Sequence, residues 1–234
     1  MSEVALRLAA VRRRIDLACE RAGRNPDDVV LVGVGKTHPA ALLREAWEAG
    51  LTVIGENRVQ EALAKAQELS AGAPHIDWHL IGPLQTNKVR AALDLFSTLH
   101  SIDRLKLAEA VEQEAARRGL EVRGFLEVNL GAEESKHGFS PTGLAEAVRS
   151  LAGYQHLRIR GLMAIPPPGD DPEASRPWFR RLRELRDDLA RRPEWAGFPG
   201  WLSMGMSHDF EIAVEEGATH VRVGTAIFGE RPGR

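Results

Sequence analysis

A lysine closing an apolar run, Val29-Val30-Leu31-Val32-Gly33-Val34-Gly35-Lys36, is the residue of this chain best placed for covalent chemistry. A poorly hydrated ammonium is costly, so burial favours the neutral amine, and a neutral amine attacks a carbonyl. Gly224-Thr225 follows another short apolar run, and Ser207 precedes a helix-period stretch. Backbone N–H groups, hydroxyls and a helix N-terminus at such places suit a phosphate. Arg222 stands beside them, placed to meet that phosphate or to face a ring nitrogen. Each also has a plain structural reading. Lys36 alone is equally a lysine carrying its ammonium out into water. Gly224-Thr225 alone is an ordinary turn, and Ser207 alone is a helix cap.

The elements that must position these residues alternate along the chain. After an opening helix that stops at Gly23, apolar runs recur at Val29 to Lys36, Thr52 to Gly55, Asp77 to Ile81, Leu95 to Leu99, Val122 to Asn129, Ile159 to Ile165, Trp201 to Met204 and His220 to Gly224. Helix-period stretches fill the intervals between these runs. One strand followed by one helix, repeated without a break, predicts a single (β/α)8 TIM-type barrel with an extra N-terminal helix. An open doubly wound sheet is the rival. In a barrel the carboxyl ends of the strands carry the chemistry, and the first strand lies beside the eighth. Lys36 then falls close to Gly224-Thr225. An amine and a phosphate cradle sharing one cavity suit an aldehyde-bearing phosphate cofactor, and pyridoxal phosphate, joined to lysine as an imine, is that cofactor.

Other polar residues at these ends read as structural. Asp103 is placed as the N-cap of the helix that follows it. His100, His137 and His208 are read as solvated or capping side chains. No His or Cys set has metal-ligand spacing, so no metal site is expected. The Pro-rich segment from Pro166 to Pro177 follows the sixth strand, where a mobile loop at the active face and a proline that starts the next helix are both open readings.

Composition excludes several classes. With 31 basic and 33 acidic side chains the net charge is −2, which offers no global attraction to nucleic acid. Hydrophobic residues at 43% and charged residues at 27% are ordinary for a soluble domain. The single cysteine, Cys19, fits a reducing compartment, and no segment has the ~20 apolar residues that a membrane span needs. The cytoplasm is the expected location.

Several longer strings lie in a fixed order: Val32-Gly33-Val34-Gly35-Lys36-Thr37, Gly55-Glu56-Asn57-Arg58-Val59-Gln60-Glu61, Trp78-His79-Leu80-Ile81-Gly82-Pro83-Leu84-Gln85-Thr86-Asn87-Lys88, and Ser135-Lys136-His137-Gly138-Phe139. Gly161-Leu162-Met163, Leu202-Ser203-Met204-Gly205-Met206-Ser207 and Val221-Arg222-Val223-Gly224-Thr225 complete the series. Through these strings the chain resembles the YggS/PROSC family of pyridoxal-phosphate homeostasis proteins over nearly its whole length. The resemblance implies one pyridoxal 5'-phosphate-binding barrel domain over residues 1–234, similar to the N-terminal domain of alanine racemase. It implies that Lys36 holds the cofactor as an internal aldimine, with Ser207, Arg222, Gly224 and Thr225 on the phosphate side and Asn57 and Ser203 near the ring. Whether Arg222 meets the phosphate or the pyridine nitrogen stays open. Lys136 is either a second amine at the entrance, involved in cofactor exchange, or an exposed loop lysine.

Three function classes follow, one of them an apo scaffold that offers the barrel face to a partner and binds no chromophore. Two-base racemisation needs a proton donor and an acceptor on opposite sides of the substrate carbon. Racemases of this kind take one from a tyrosine of a second domain, whereas this chain is expected to stop after its eighth barrel unit. Its lone tyrosine, Tyr154, precedes the sixth strand and is expected at the end opposite Lys36. The leading expectation is therefore a cofactor-binding homeostasis protein with no assigned catalytic residue, acting as a monomer toward apoenzymes that need the cofactor. A weak amino-acid racemase of the alanine racemase type is the alternative.

Overall fold

Eight parallel strands close into a barrel in chain order in the computed structural model, which describes residues 2–70, 75–131, 137–167, 169–195 and 198–230. The strands are β1 (Val30–Val34), β2 (Val53–Glu56), β3 (Asp77–Leu80), β4 (Thr98–Ile102), β5 (Val122–Glu127), β6 (Leu157–Met163), β7 (Trp201–Met206) and β8 (His220–Val223). Closure is made by β1 against β8, with Val32 opposite Arg222 and Gly33 opposite Val223. The closed barrel settles the choice against an open sheet.

The opening helix, α1 (Glu3–Ala22), is set by its ends and by one stripe. The Ser2 hydroxyl accepts from the Ala5 N–H at 3.2 Å, and Gly23 ends the helix in the left-handed conformation. Between them Val4, Leu8, Val11, Ile15, Ala18 and Cys19 are buried at helical spacing. The stripe packs toward the C-terminal helices α8 (Phe210–Glu215) and α9 (Thr225–Phe228), and Arg14–Glu211 and Arg21–Glu215 ion pairs at 2.6 and 2.7 Å rim the contact. The other helices are α2 (Ala40–Glu48), α3 (Val59–Leu69), α4 (Val89–Ala92), α5 (Leu105–Arg118), α6 (Leu144–Leu151) and α7 (Arg176–Ala190). Pro177 sits in the first turn of α7, so the proline there starts a helix.

The fold corrects the sequence reading at β4, at Asp103 and at His100. The fourth strand is Thr98–Ile102 rather than Leu95 to Leu99, because Leu93 and Phe96 are buried in the turn after α4 while the strand itself carries the polar His100 and Ser101. Asp103 does not cap α5: that position belongs to Arg104, in extended conformation and without a capping side-chain bond, and the Asp103 carboxylate pairs with Arg104 Nη1 at 2.5 Å instead. His100 is neither solvated nor a cap. It is fully buried on β4, stacked on Phe125 at 4.5 Å between ring centroids.

Among the described residues no helix is long and apolar enough to cross a membrane, and no cluster of three or more His, Cys, Asp or Glu side chains is set to hold a metal ion.

Candidate functional site

Lys36, Asn57, Ser207, Arg222, Gly224 and Thr225 line one cavity of about 340 Å³, together with Val34, Ile81, Ile165, Met206 and His208. That volume falls in the range of small-ligand sites, about 300–1,000 Å³. A larger hollow of about 890 Å³ adjoins it at Asn57 and carries Arg58, Lys88 and Arg104. The cavity is built from the carboxyl ends of the strands. Lys36 lies in the turn after β1, Asn57 after β2, Ile81 after β3, Ile165 after β6, Ser207 after β7 and Gly224 after β8. The parallel register that places β1 beside β8 is what brings Lys36 to Gly224-Thr225. Asn57 owes its place to a close approach: a Cβ on Gly82 would lie 2.5 Å from the Asn57 carbonyl oxygen, so only glycine lets the loop after β3 press on the loop after β2.

One side of the cavity carries convergent backbone donors. The N–H groups of Gly224 and Ala226, at the start of α9, both point at Ser207 Oγ, at 3.1 and 3.3 Å. Ser207 is itself held by a tight turn in which the Asp209 carboxylate accepts the Met206 N–H at 2.7 Å and the Ser175 hydroxyl at 2.8 Å. The walls are apolar: Val34, Ile81, Ile165 and Met206. Ile165 and Met206 stay 48% and 39% exposed.

Ser203, expected near the ring, does not line the cavity. Its hydroxyl is fully buried behind Arg222, accepting from Arg222 Nη1 at 2.6 Å, while Nη2 donates to the Ala164 carbonyl at 3.0 Å. Burial brings the Arg222 guanidinium down to about 10, opposed by Asp209 and Glu127, so it remains a cation at neutral pH. Glu127, at the end of β5, is raised by burial and by Asp103, with Arg222 pulling the other way.

Behind Arg222 a hydrogen-bonded chain enters the barrel interior and stops at His79. Ser203 Oγ lies 2.7 Å from His100 Nδ1 and His100 Nε2 lies 3.0 Å from His79 Nδ1, while His79 Nε2 faces Asp77 Oδ2 at 3.4 Å without a hydrogen bond. Burial drives the His100 ring well below its ordinary value, and burial lowers His79 as well, opposed by Asp77, so both are neutral. Burial works against the Asp77 carboxylate, but the nearby His79 ring, the Ser97 hydroxyl and the charge of Arg123 hold it below its usual range. Arg222 only donates, so the Ser203 hydroxyl that accepts from it is free to donate to His100 Nδ1, and the His100 Nε2–H then donates to His79 Nδ1. The His79 Nε2–H that this order leaves points at the anionic Asp77 from 3.4 Å, a charge–dipole approach rather than a hydrogen bond.

Sequence reasoning missed this chain and a second group under Lys36, formed by Glu56, Glu61 and Lys65. Lys65 Nζ lies 2.7 Å from both Glu56 Oε1 and Glu61 Oε1. The spacing of Glu61 and Lys65, four apart on α3 with the acid first, is the one signal that would have found it. Burial pushes the Glu56 carboxyl from 4.5 up to about 7, opposed by Lys65. The folded protein therefore holds an extra proton between those two values. Glu56 contributes stability that is complete below pH 4.5 and lost as pH rises through about 7. Chemical denaturation across pH 4 to 8 is expected to show a falling segment in that window, flattened in Glu56→Gln; equal slopes in the two proteins would refute the assignment.

Tyr154 precedes β6 and lines a separate hollow with Leu151, Leu157, Trp195 and Phe198, away from the Lys36 cavity. Lys136 lies outside the described residues.

Comparison with known proteins gives a consistent picture. Residues 6–232 match the family model described as alanine racemase, N-terminal domain. A protein of Aquifex aeolicus named pyridoxal phosphate homeostasis protein is 47% identical over 225 residues, 96% of this chain and 97% of the relative. The structure of PipY of Synechococcus elongatus with pyridoxal phosphate bound superposes with a TM-score of 0.85 at 39% identity, covering 97% of this chain and 100% of PipY. Alanine racemase of Clostridium difficile gives a TM-score of 0.69 at 14% identity, covering 95% of this chain and 56% of the racemase, a likeness of fold alone.

Proposed function

The chain belongs to the alanine racemase N-terminal domain family and stands there with the pyridoxal phosphate homeostasis proteins, and on that premise we propose that it binds pyridoxal 5'-phosphate through Lys36 and serves the homeostasis of that cofactor. The observation that carries the reading is the meeting of one lysine, one buried arginine and convergent backbone donors on a single apolar-walled cavity. When bound, pyridoxal phosphate supplies an aldehyde that condenses with a primary amine and a conjugated ring that absorbs in the near-ultraviolet and visible.

The chain's own residues fit that group. Gly224 and Ala226 N–H groups with Ser207 and Thr225 hydroxyls offer the donors a phosphate needs. The exposed faces of Ile165 and Met206 would be covered by a flat ring. Asn57 borders the same space, and Ser203 acts through Arg222 by fixing its guanidinium. Lys36 is the amine that captures the aldehyde.

A carrier with no efficient catalysis of its own is the reading best supported. Apoenzymes that require the cofactor are its recipients, and we place the one-domain, monomeric protein in the cytoplasm. Tyr154 lies on a different hollow, so it does not supply the second proton-transfer group that racemisation demands. His208, on the cavity wall, is the residue that would favour the racemase alternative. Steady conversion of an L-amino acid to its D-form by the loaded protein, lost in His208→Ala, would establish that alternative.

The deciding experiment is an absorption spectrum of the purified protein with pyridoxal phosphate, before and after borohydride, followed by peptide mapping. A modified peptide containing Lys36 is expected; the absence of any fixed adduct would sink the proposal. Arg222→Gln is expected to keep the covalent link but weaken retention roughly 10- to 100-fold, the worth of a hydrogen bond from a charged group. Unchanged retention, followed by dialysis against buffer, would show that Arg222 takes no part in binding.

A further inference from the structure

Another lysine near this end of the barrel, Lys65, is buried. It is 7% exposed on α3, and its ammonium donates to Gly35 O, Glu56 Oε1 and Glu61 Oε1, each at 2.7 Å. Every donor of the ammonium is thereby used. The same Glu61 oxygen accepts the N–H of Thr37 at 2.7 Å. The carbonyl just before Lys36 and the N–H just after it therefore end on one cluster, in which Lys65 and Glu56 are buried and Glu61 is half-buried.

The backbone between those anchors is unusual. Thr37 has φ 66°, the one non-glycine residue at positive φ among the described residues, and a β-branched side chain is a poor occupant of that region. Such a conformation persists only where the surroundings over-determine it. Here they do: His38 N–H also bonds to Gly35 O at 3.0 Å, which closes the turn that presents Lys36. Glu56 is fully buried at the end of β2, so the cluster is anchored to the barrel as well as to α3.

We propose that Lys65 and Glu61, seated on Glu56, form a clamp that positions Lys36, fixing the direction in which its amine enters the cavity without touching the ligand. The inference rests on the assignment of Lys36 as the capturing amine. It separates the two parts of binding: the phosphate cradle of Ser207, Gly224 and Thr225 belongs to β7 and β8, whereas the clamp belongs to β1, β2 and α3. A clamp defect is felt in covalent capture and not in phosphate binding.

The test compares two ligands that differ at one group. Pyridoxal 5'-phosphate has the aldehyde; pyridoxine 5'-phosphate has an alcohol in its place and cannot join an amine. In Glu61→Ala, affinity for the aldehyde ligand and the borohydride-fixed fraction are expected to fall by about tenfold or more, the scale on which a displacement of about 1 Å is felt by a reacting group. Affinity for the alcohol ligand stays within about twofold, because the cradle is intact. Glu61→Gln, which keeps an oxygen for the Thr37 N–H, recovers most of the loss. Glu61→Ala leaves the Lys65–Glu56 pair in place, so it serves where Lys65→Met fails to fold. Parallel loss of both ligands, or no change in either, overturns the clamp. Lys36→Ala run alongside isolates the premise: an adduct that survives in it removes Lys36 from the chemistry, whatever Glu61→Ala does.

Discussion

Replacement of Lys36 by alanine is expected to abolish the covalent adduct and its visible absorbance while leaving the barrel folded. The side chain lies half-buried at the end of the turn after β1, and the bonds that shape this turn come from backbone groups: Gly35 O, Gly35 N–H and Thr37 N–H. Truncation at Cβ leaves all of them in place. A change confined to such a side chain alters stability by about 0.5 kcal/mol or less. Ligand in the cradle would still be held by its phosphate, so dialysis should strip it from Lys36→Ala and spare the parent protein. The measurement is the borohydride-fixed stoichiometry at matched circular-dichroism melting. A full adduct in the variant would pass the role to another lysine. Lys65 is excluded by its three internal bonds, which leaves Lys136 as the first residue to examine and Lys88, in the adjoining hollow, as the next.

The success and failure of the sequence reading follow from one physical difference. Strands covered on both faces read as apolar runs, and β1, β2, β3 and β8 lie within or next to the runs expected for them. The same rule misplaced β4. Leu95 and Phe96 lie before the strand, while the strand residue His100 faces His79, Phe125 and His220 in the interior. Hydropathy treats such a histidine as a solvent residue, yet here burial keeps it neutral and its ring nitrogens are both satisfied. The spacing of His220 and Arg222, two apart on β8, is the trace that a polar interior leaves in a strand.

The cavity-lining residues were legible because they lie at strand ends, where local sequence and barrel topology suffice to bring them together. Ser203 was assigned to the ring because sequence order does not tell a wall residue from the one behind it. The clamp under Lys36 and the chain behind Arg222 were invisible for the same reason: their partners, Glu56 with Lys65 and Ser203 with His100, meet only through tertiary packing. Both groups brace a cavity residue from its far side, which is how a site held to small tolerances is built.

That bracing gives a single methyl group at Gly161 the largest expected effect on stability. Gly161 lies on β6 opposite Trp201 of β7, and a Cβ there would fall 2.0 Å from the Trp201 carbonyl oxygen and 2.6 Å from its carbon. The obstruction is backbone, so no rotamer relieves it; β6 and β7 must separate. Gly161→Ala is expected to cost about 3 kcal/mol or more, as overpacking against rigid structure does. For a chain of this length that lowers the melting midpoint by roughly 6–12 °C. The loss reaches the site as well, since Arg222 is held by Ser203 on β7 and by the Ala164 carbonyl just past β6. The folded fraction of the variant should therefore retain pyridoxal phosphate less well, in the manner of Arg222→Gln. Gly153→Ala is the matched control: a Cβ there meets nothing within 4 Å, and its midpoint should stay near that of the parent. If the two alanine variants melt together, the β6–β7 spacing is not set by the missing side chain at 161, and the bracing of Arg222 must come from elsewhere.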